Sequence, residues 1–279
     1  LGEDIQTDFL KDMDAVDVLA ATENLEPDDV ADILQRLPNA VILEVLDSME
    51  AQERLRVETV LSFPEDTAGG LMNTDTITIR PDITLDVVLR YIRRHERLPD
   101  STDTLLVVSR RDEFIGALPI NRLLVSDPGV TVREVMDTDS VVIPALMPET
   151  EVASLFEKHD LISAPVVGGD GNLLGRITID DVVDVIRGDA EHQVMSMAGM
   201  DEDEDTFSPV MRTSWRRAVW LGINLLTAFM ASAVIGMFEG TIQKITALAV
   251  LMPIVASMGG IAGSQALTVL IRGIALGHV

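Results

Sequence analysis

Carboxylates spaced to share one helix face are the residues of this sequence best suited to chemistry. Asp28 and Asp32 are four residues apart, and Asp181 and Asp184 are three apart, so each pair lies on one side of a helix. Carboxylate oxygens are preferred ligands of hard divalent cations, which often keep several waters when bound. Three further candidate acids lie outside these pairs: Asp160, Asp189 and Glu191. For each acid alone, an ordinary solvated surface charge is the alternative interpretation.

The charges are distributed very unevenly along the chain. The 279 residues include 21 Lys and Arg against 46 Asp and Glu, for a net charge of −25. Residues 1–210 contain 16 of the cations and 45 of the acids, whereas residues 211–279 contain five cations and the single acid Glu239. So acidic a chain is not expected to bind nucleic acid, because it has no general excess of cations to neutralise phosphates. The sequence therefore divides into an acidic body and an apolar tail.

No catalytic motif stands out in the body or the tail. The chain has no cysteine, which excludes disulfides, thiolate metal sites and a cysteine nucleophile. Its four histidines have no metal-ligand spacing, and neither a glycine-rich phosphate loop nor a nucleophile elbow is present. We therefore predict that the protein is not an enzyme.

The tail is predicted to cross a lipid bilayer twice. Ala218–Phe238 is uncharged over 21 residues and Ile245–Ile271 over 27, and about 20 apolar residues span a bilayer core. A hairpin turn is expected at Glu239–Lys244 between them. Two buried helices of a soluble protein are the alternative, although such helices rarely stay uncharged for so long.

Three arginines fix the expected orientation of the tail. Arg212, Arg216 and Arg217 immediately precede the first apolar stretch, and arginines concentrate on the cytoplasmic side of membrane helices. Residues 1–213 are therefore expected in the cytoplasm, attached to a multi-pass segment of the cell (inner) membrane. Because the chain starts at a leucine and stops just after an apolar stretch, we expect further spans to be missing.

The acidic body contains an internal duplication. Residues 104–116 match residues 163–175 at an offset of 59: each has an apolar strand, a polar turn and a second strand with a glycine. Residues 88–95 match residues 152–159 at an offset of 64. Strands that alternate with amphipathic helices indicate small α/β units. A copied unit of about 60 residues usually packs against its duplicate, since each alone buries little core.

The first sixty residues are predicted to be helical with a short repeat. Leu25, Leu37 and Met49 are twelve residues apart, and each precedes an apolar periodic segment. Pro27 and Pro38 suit the first turns of helices. We expect helices around Val30–Leu34, Ile42–Leu46 and Leu55–Leu61, stacked in a small solenoid-like layer.

The duplicated units resemble a pair of CBS domains, a regulatory module that folds as a tandem. The second copy matches better, with Ser163-Ala-Pro-Val-Val167 followed by Gly175-Arg-Ile-Thr-Ile-Asp-Asp181. The resemblance implies that Thr178 and Asp181 contact the ribose of a nucleotide such as ATP. The alternative for Asp181 is an acid that complements the helix dipole. Pro119 and Arg122 replace these residues in the first copy, where no such site is expected.

The whole order of parts is similar to the MgtE-type family of magnesium transporters and channels. A helical domain, Phe63-Pro-Glu-Asp-Thr-Ala-Gly-Gly-Leu-Met72, a CBS pair, a linking helix and membrane spans all match. Met258-Gly-Gly-Ile-Ala-Gly-Ser-Gln265 matches a membrane motif of the family, except that Ile261 replaces its Asn. The resemblance implies a homodimer with five membrane helices per chain.

This resemblance implies a multidomain fold in five parts. They are an all-α helical-repeat N domain, the two α/β domains of a tandem CBS pair, a linking helix, and an α-helical transmembrane segment with two of its spans. The predicted bounds are 1–62 for the N domain, 63–131 and 132–189 for the CBS domains, 190–213 for the linking helix, and 214–279 for the spans.

The resemblance also assigns roles to the candidate acids. Positions that match the cytosolic Mg²⁺-sensing acids of the family, together with the adjoining Glu191, are Asp28, Asp32, Asp160, Asp181, Asp184, Asp189 and Glu191. Two sensing acids expected at the start of the second CBS domain are replaced by Pro148 and Thr150. We predict that Mg²⁺ between acidic surfaces compacts the cytosolic body and closes the pore.

In the membrane segment, small and polar residues are candidates for the ion path. Gly259, Gly260 and Gly263 permit local unwinding, and Gln265 supplies an amide. Simple helix packing by small residues is the alternative.

Two other functions stay open from the sequence. One is a membrane-anchored nucleotide sensor, in which the CBS pair binds nucleotide and the spans serve as an anchor. The other is the same transporter acting on a different divalent metal such as Co²⁺ or Mn²⁺, because oxygen ligands favour a hard ion without excluding these.

Overall fold

The structure of the chain is a computed structural model. It describes residues 18, 19, 22, 25–95, 97–99, 101–197 and 210–275. The fold divides into two compact units, one covering nearly all residues up to 190 and the other starting at residue 191.

Three short helices form the N-terminal part of the first unit. They are α1 (Pro27–Gln35), α2 (Asn39–Ser48) and α3 (Ala51–Leu61), and they begin twelve residues apart. Each starts after a residue with extended backbone, and proline suits the first position of α1 because it has no N–H to leave unpaired. Their buried faces share one apolar core that includes Val30, Leu34, Val45, Val57 and Val60. The helices predicted here are present, and their solenoid-like stacking stays a prediction.

Two three-stranded sheets with the same topology follow. In each, the short first strand pairs in parallel with the second strand, which pairs antiparallel with the third. The register shifts at Val107/Val108 in the first sheet and at the matching Val166/Val167 in the second. The strands are β1 (Thr78–Ile79), β2 (Thr104–Val108), β3 (Phe114–Pro119), β4 (Ile143–Pro144), β5 (Ser163–Val167) and β6 (Leu173–Thr178).

Helices cover each sheet and complete two separate apolar cores. The first copy has α4 (Leu85–Ile92), α5 (Ile120–Val125) and α6 (Val132–Val135), and the second has α7 (Glu149–His159) and α8 (Ile179–Met197). One core includes Leu85, Leu105 and Leu118, and the other includes Phe156, Val166 and Ile177. The predicted α/β character of the duplicated units is confirmed.

A crossing segment explains the glycine in each third strand. The backbone of Asp137 exchanges hydrogen bonds of 2.7 and 2.9 Å with Ala117, and the backbone of Asn73 exchanges bonds of 2.8 and 2.9 Å with Arg176. A Cβ on Gly116 would lie 2.5 Å from the Asp137 carbonyl oxygen, and one on Gly175 would lie 2.7 Å from that of Asn73. Glycine is therefore required at both positions so that the two backbones can approach.

The two copies contact each other through equivalent residues. The Phe114 amide donates to the Gly171 carbonyl at 3.1 Å, and the Leu173 amide donates to the Asp112 carbonyl at 3.0 Å. Thr104 Oγ1 and Ser163 Oγ, which match at the offset of 59, lie 3.3 Å apart. This reciprocal pattern confirms the duplication and shows that the copies pack as a pair.

The second unit contains two long apolar helices joined by a short one. They are α9 (Val210–Met237), α10 (Glu239–Lys244) and α11 (Thr246–Ala275). Ala218–Met237 and Thr246–Gly273 are long and apolar enough to cross a membrane. Within them, large apolar side chains such as Phe229 and Leu251 are exposed, as expected of surfaces that face lipid.

Three details of these helices differ from the sequence expectations. The predicted hairpin turn at 239–244 is the short helix α10, because no residue of Glu-Gly-Thr-Ile-Gln-Lys forbids helical backbone. Helix α11 runs without interruption through Gly259, Gly260, Gly263 and Gln265, so local unwinding is absent there. Residues 190–197 belong to α8, which begins at Ile179, and the rest of the predicted linking helix up to residue 209 lies outside the described residues.

Candidate cation site between the N domain and the second CBS domain

Helix α1 presents acids to the second CBS domain. Val30, Ala31 and Leu34 point into the helical core, so Asp28 and Asp32 lie on a different face. The first turn also contains Asp29, where an acid is favoured by the helix dipole. Asp28 is only 6% exposed, which is unusual for an aspartate.

The facing acids come from the start of α8. Asp180 and Asp181 occupy its first turn, and Asp184 follows one turn later. Asp181 is held in place by Thr178, whose amide and hydroxyl lie 3.3 and 3.0 Å from Asp181 Oδ2. Thr178 ends strand β6, so the sheet of the second CBS domain fixes the position of this carboxylate.

The approach of these acids is electrostatically unfavourable. Burial raises the pKa of Asp28 to about 8, and the neighbouring charge of Asp181 adds to the rise. Burial also raises the pKa of Asp181 to about 6, against hydrogen bonds from Thr178 that lower it. The pKa of Asp29 is raised by burial and then by Asp180 and Asp184. These acids therefore destabilise the contact between the domains when they are ionised.

One buried carboxylate oxygen at the interface lacks a hydrogen-bond donor among the described residues. Among the described residues, no hydrogen-bond donor reaches Asp28 Oδ1, although this atom is buried. A buried carboxylate oxygen without a donor is costly, and a bound cation or a proton relieves the cost. The chemistry of this donor set therefore fits a hard cation.

A second group of acids surrounds the far end of α1. Burial raises the pKa of Asp32 to about 6, and the charges of Glu65 and Glu149 contribute, while Arg36 lowers it. Burial also raises the pKa of Glu149, followed by the charges of Asp189, Asp66 and Glu65. This group joins α1, the loop after α3, the start of α7 and the middle of α8.

Two polar contacts attach the N domain to the segment before β1. Asn73 Nδ2 donates a hydrogen bond to a carboxylate oxygen of Glu26, the residue before α1. Arg56 on α3 forms an ion pair with Asp75 at 2.8 Å. These contacts hold the N domain beside the acidic surfaces without any added ion.

The structure brings together five of the seven predicted metal-binding acids. Asp28, Asp181 and Asp184 belong to the first group, and Asp32 and Asp189 belong to the second. Six further acids that interact electrostatically with these groups were not predicted from the sequence: Glu26, Asp29, Glu65, Asp66, Glu149 and Asp180. Glu149 lies between Pro148 and Thr150, where the sequence suggested that acids were lost. Proximity to a helix start was the available signal for Asp29, Glu149 and Asp180.

The remaining two predicted ligands lie elsewhere. Asp160 is exposed and takes left-handed backbone, with φ of 51°, where it ends α7. It is not among the charges that shift the pKa values of the interface acids, and its role as a metal ligand stays a prediction. Glu191 is exposed on α8 and belongs to the second unit.

No three acidic or histidine side chains among the described residues are arranged to hold one ion directly. Magnesium usually keeps several of its waters and takes only one or two carboxylates. A hydrated ion between Asp28 and Asp181 therefore needs no tighter cluster than the one observed.

The predicted nucleotide residues also lie in this region. Thr178 is buried, and its hydroxyl lies within hydrogen-bond distance of both Asp180 and Asp181. In the first copy, Arg122 takes the place of Asp181 and donates to the Val135 carbonyl at 3.3 Å. The two copies therefore differ at the position that would contact a ribose.

The fold and these acidic surfaces define a class of protein: a helical domain and a CBS pair followed by apolar helices. Family models agree, since residues 1–66 match the MgtE intracellular N domain and residues 68–126 and 132–188 match the CBS domain. Magnesium transporter MgtE of Thermus thermophilus is 32% identical over 89% of this chain and 56% of its own length. That of Bacillus subtilis is 30% identical over 91% and 56%.

Solved structures give the same result. A crystal structure of the cytosolic domain of the Mg²⁺ channel MgtE in complex with ATP has a TM-score of 0.61 and 32% identity. The match covers 66% of this chain and 76% of that one. The soluble part of a magnesium transporter, at 21% identity, has the same fold with a TM-score of 0.62. The chain belongs to the MgtE family, and it spans about half the length of the curated relatives it matches.

These findings confirm the predicted location of the protein. The matching N-domain model is described as intracellular, the related solved structure is a cytosolic domain, and two helices here are suited to a bilayer. The acidic body lies on the cytoplasmic side of a membrane.

Proposed function

We propose that this chain is part of a magnesium transporter whose pore is gated by cytosolic Mg²⁺. The single observation that carries this proposal is the buried, partly unpaired carboxylate of Asp28, which faces Asp181 across a domain boundary. The relatives named as magnesium transporters support the transported ion. The five-part division of the chain and its assembly as a homodimer belong to the same proposal.

The proposed gating is electrostatic. When the acids of α1 and α8 are ionised, they repel each other and favour a detached N domain. Asp28 and Asp181, with Asp29 and Asp184 nearby, would hold a hydrated Mg²⁺ that removes this repulsion. Because an ion shifts such an equilibrium only by binding one state more tightly, the docked state must offer the better site. The closeness of Asp28 to Asp181 in the docked state supplies that difference.

Limited proteolysis of the full chain in detergent tests the proposal. We expect cleavage between the N domain and the CBS pair to decrease steeply as Mg²⁺ is raised. A double variant, Asp28→Asn with Asp181→Asn, should be protected without Mg²⁺ because the repulsion is gone. Asp139→Asn is the matched control, since Asp139 is an exposed acid outside the interface. Equal cleavage of the native chain with and without Mg²⁺ would reject the proposal.

The same assay separates the alternatives. Protection by ATP without Mg²⁺ would favour the nucleotide sensor, which is supported by the ATP complex of a related cytosolic domain. Protection by Co²⁺ or Mn²⁺ together with no protection by Mg²⁺ would favour a transporter of another metal. For a hard-oxygen site, the proposal expects Mg²⁺ to act without nucleotide.

A further inference from the structure

Arg176 occupies a position where all three folded parts of the first unit meet. It belongs to strand β6 of the second CBS copy, and its side chain is only 3% exposed. Its Nη1 donates to the Ser101 carbonyl of the first copy at 3.3 Å. Its charge also acts on Glu26 of the N domain, where it favours the ionised carboxylate.

The neighbouring Asn73 connects Arg176 to the N domain a second time. The Asn73 backbone exchanges two hydrogen bonds with the Arg176 backbone, and the Asn73 side chain donates to Glu26. Glu26 immediately precedes α1, so its position determines where Asp28 meets Asp181. A cation next to Glu26 therefore acts directly on the docking of α1.

The first copy provides an internal comparison for this residue. Ala117 matches Arg176 at the offset of 59, and it exchanges the same pair of backbone bonds with Asp137. A methyl group is therefore sufficient for the fold at this position. Burying an arginine carries a desolvation cost, so its presence in the second copy calls for a role beyond packing.

The charges around Arg176 indicate that role. Glu26 lies near Asp180 and Asp29, and Asp28 lies near Asp181. Arg176 places one fixed positive charge among these acids. We propose that Arg176 is a built-in counter-cation that keeps the N domain partly docked without metal and so sets the Mg²⁺ concentration at which docking is completed. This inference rests on the proposed function and specifies how the same site is regulated.

The chain labelled with two fluorophores tests the role of Arg176. Because the chain has no cysteine, Ser48→Cys on α2 and Glu157→Cys on α7 can carry a single fluorophore pair. Both side chains are exposed and lie outside the interface acids. Energy transfer between them reports how the N domain docks while Mg²⁺ is titrated.

We expect Arg176→Met to reduce energy transfer in the absence of metal and to raise the Mg²⁺ midpoint by roughly tenfold, the size expected from one lost charge-assisted contact. Arg176→Lys should restore most of the docking. Arg133→Met removes an exposed arginine that pairs with Asp82, and it should leave the midpoint unchanged.

A second variant separates charge from structure. If Arg176 acts as a counter-cation, adding Glu26→Gln to Arg176→Met should return the midpoint towards that of the native chain, because the charge it balanced is gone. A purely structural role predicts no such rescue, so failure of the rescue would overturn the inference. An unchanged midpoint in Arg176→Met would also overturn it. The absence of any Mg²⁺ response in the native chain would instead reject the proposed function.

Discussion

The first CBS copy carries Ala117, Pro119 and Arg122 at positions where the second carries Arg176, Thr178 and Asp181. The strands, register shift and close-approach glycine are nevertheless the same in both. The backbone plan therefore does not depend on these side chains. Among the residues that the structure describes, only the second copy combines a buried cation with a fixed carboxylate near the acids of the N domain. The duplication therefore supplies the scaffold, whereas a few differences at matching positions create the candidate site.

Replacing Asp28 should change the free energy of N-domain docking more than the other substitutions below. It tests whether the second copy forms an electrostatically unfavourable interface with the N domain. The pKa of Asp28 is raised to about 8 when docked, so the docked state is most stable below about pH 4 and loses stability as the pH rises to about 8. Asp28→Asn should remove much of this loss and stabilise docking at pH 8 by about 3 kcal/mol. Energy transfer between fluorophores on Ser48→Cys and Glu157→Cys, measured from about pH 4 to pH 8, gives the docking free energy at each pH.

The matched control for this prediction is Asp139→Asn, which should leave the pH dependence of docking unchanged. The acids Asp32 and Asp181 remain in the Asp28 variant, with pKa values of about 6, so a smaller loss of docking should persist between about pH 4 and 6. A native chain whose energy transfer is the same at pH 5 and pH 8 would contradict the account of the interface.

The two close-approach glycines test the shared scaffold. Gly116→Ala and Gly175→Ala should each destabilise the chain by about 1–3 kcal/mol, because the added Cβ would overlap a backbone oxygen. Urea unfolding followed by circular dichroism measures this change. Only Gly175→Ala should also weaken docking, since it displaces Asn73, which holds Glu26. Similar docking in both variants would show that the copies do not differ in this way.

Removing an exposed ion pair of the first copy should change the free energy of unfolding least. Arg90 and Asp86 form an exposed ion pair on α4 at 2.6 Å, and the second copy has Ser154 and Thr150 at these places. Arg90→Ala should change the free energy of unfolding by about 0.5 kcal/mol or less, because water and salt screen exposed pairs. The same urea series measures it. A loss above about 1 kcal/mol would mean that surface charge matters as much as the buried interface.

The sequence was sufficient for much of the fold. Leu25, Leu37 and Met49, spaced twelve residues apart, each lie two residues before the start of a helix. The offset of 59 correctly located two sheets of the same topology. Local periodicity and repeated turns carry this information because they depend on neighbours along the chain. By contrast, the sequence left two possibilities open at Gly259 and Gly260, and the uninterrupted helix there agrees with helix packing by small residues, since glycine weakens a helix without necessarily breaking it.

The candidate site was predicted less completely because its parts come from distant segments. Asp28 and Asp181 were named from spacing and resemblance, but the burial of Asp28 and the effect of the Asp181 charge on it are properties of the packed domains. Glu149 was not predicted because the acids that surround it, Glu65, Asp66 and Asp189, come from segments that are distant in sequence. Arg176 was not recognised as functional, since its neighbours Glu26 and Asn73 are remote in sequence.

The most direct test of the account is a crystal structure of the full chain grown in Mg²⁺ and soaked with Mn²⁺, a hard ion that accepts the same oxygen ligands. The account predicts anomalous density for Mn²⁺ between the carboxylates of Asp28 and Asp181, with helix α1 docked on the second CBS domain. Clear density for both side chains without any ion between them, or with the two carboxylates turned to solvent, would contradict it.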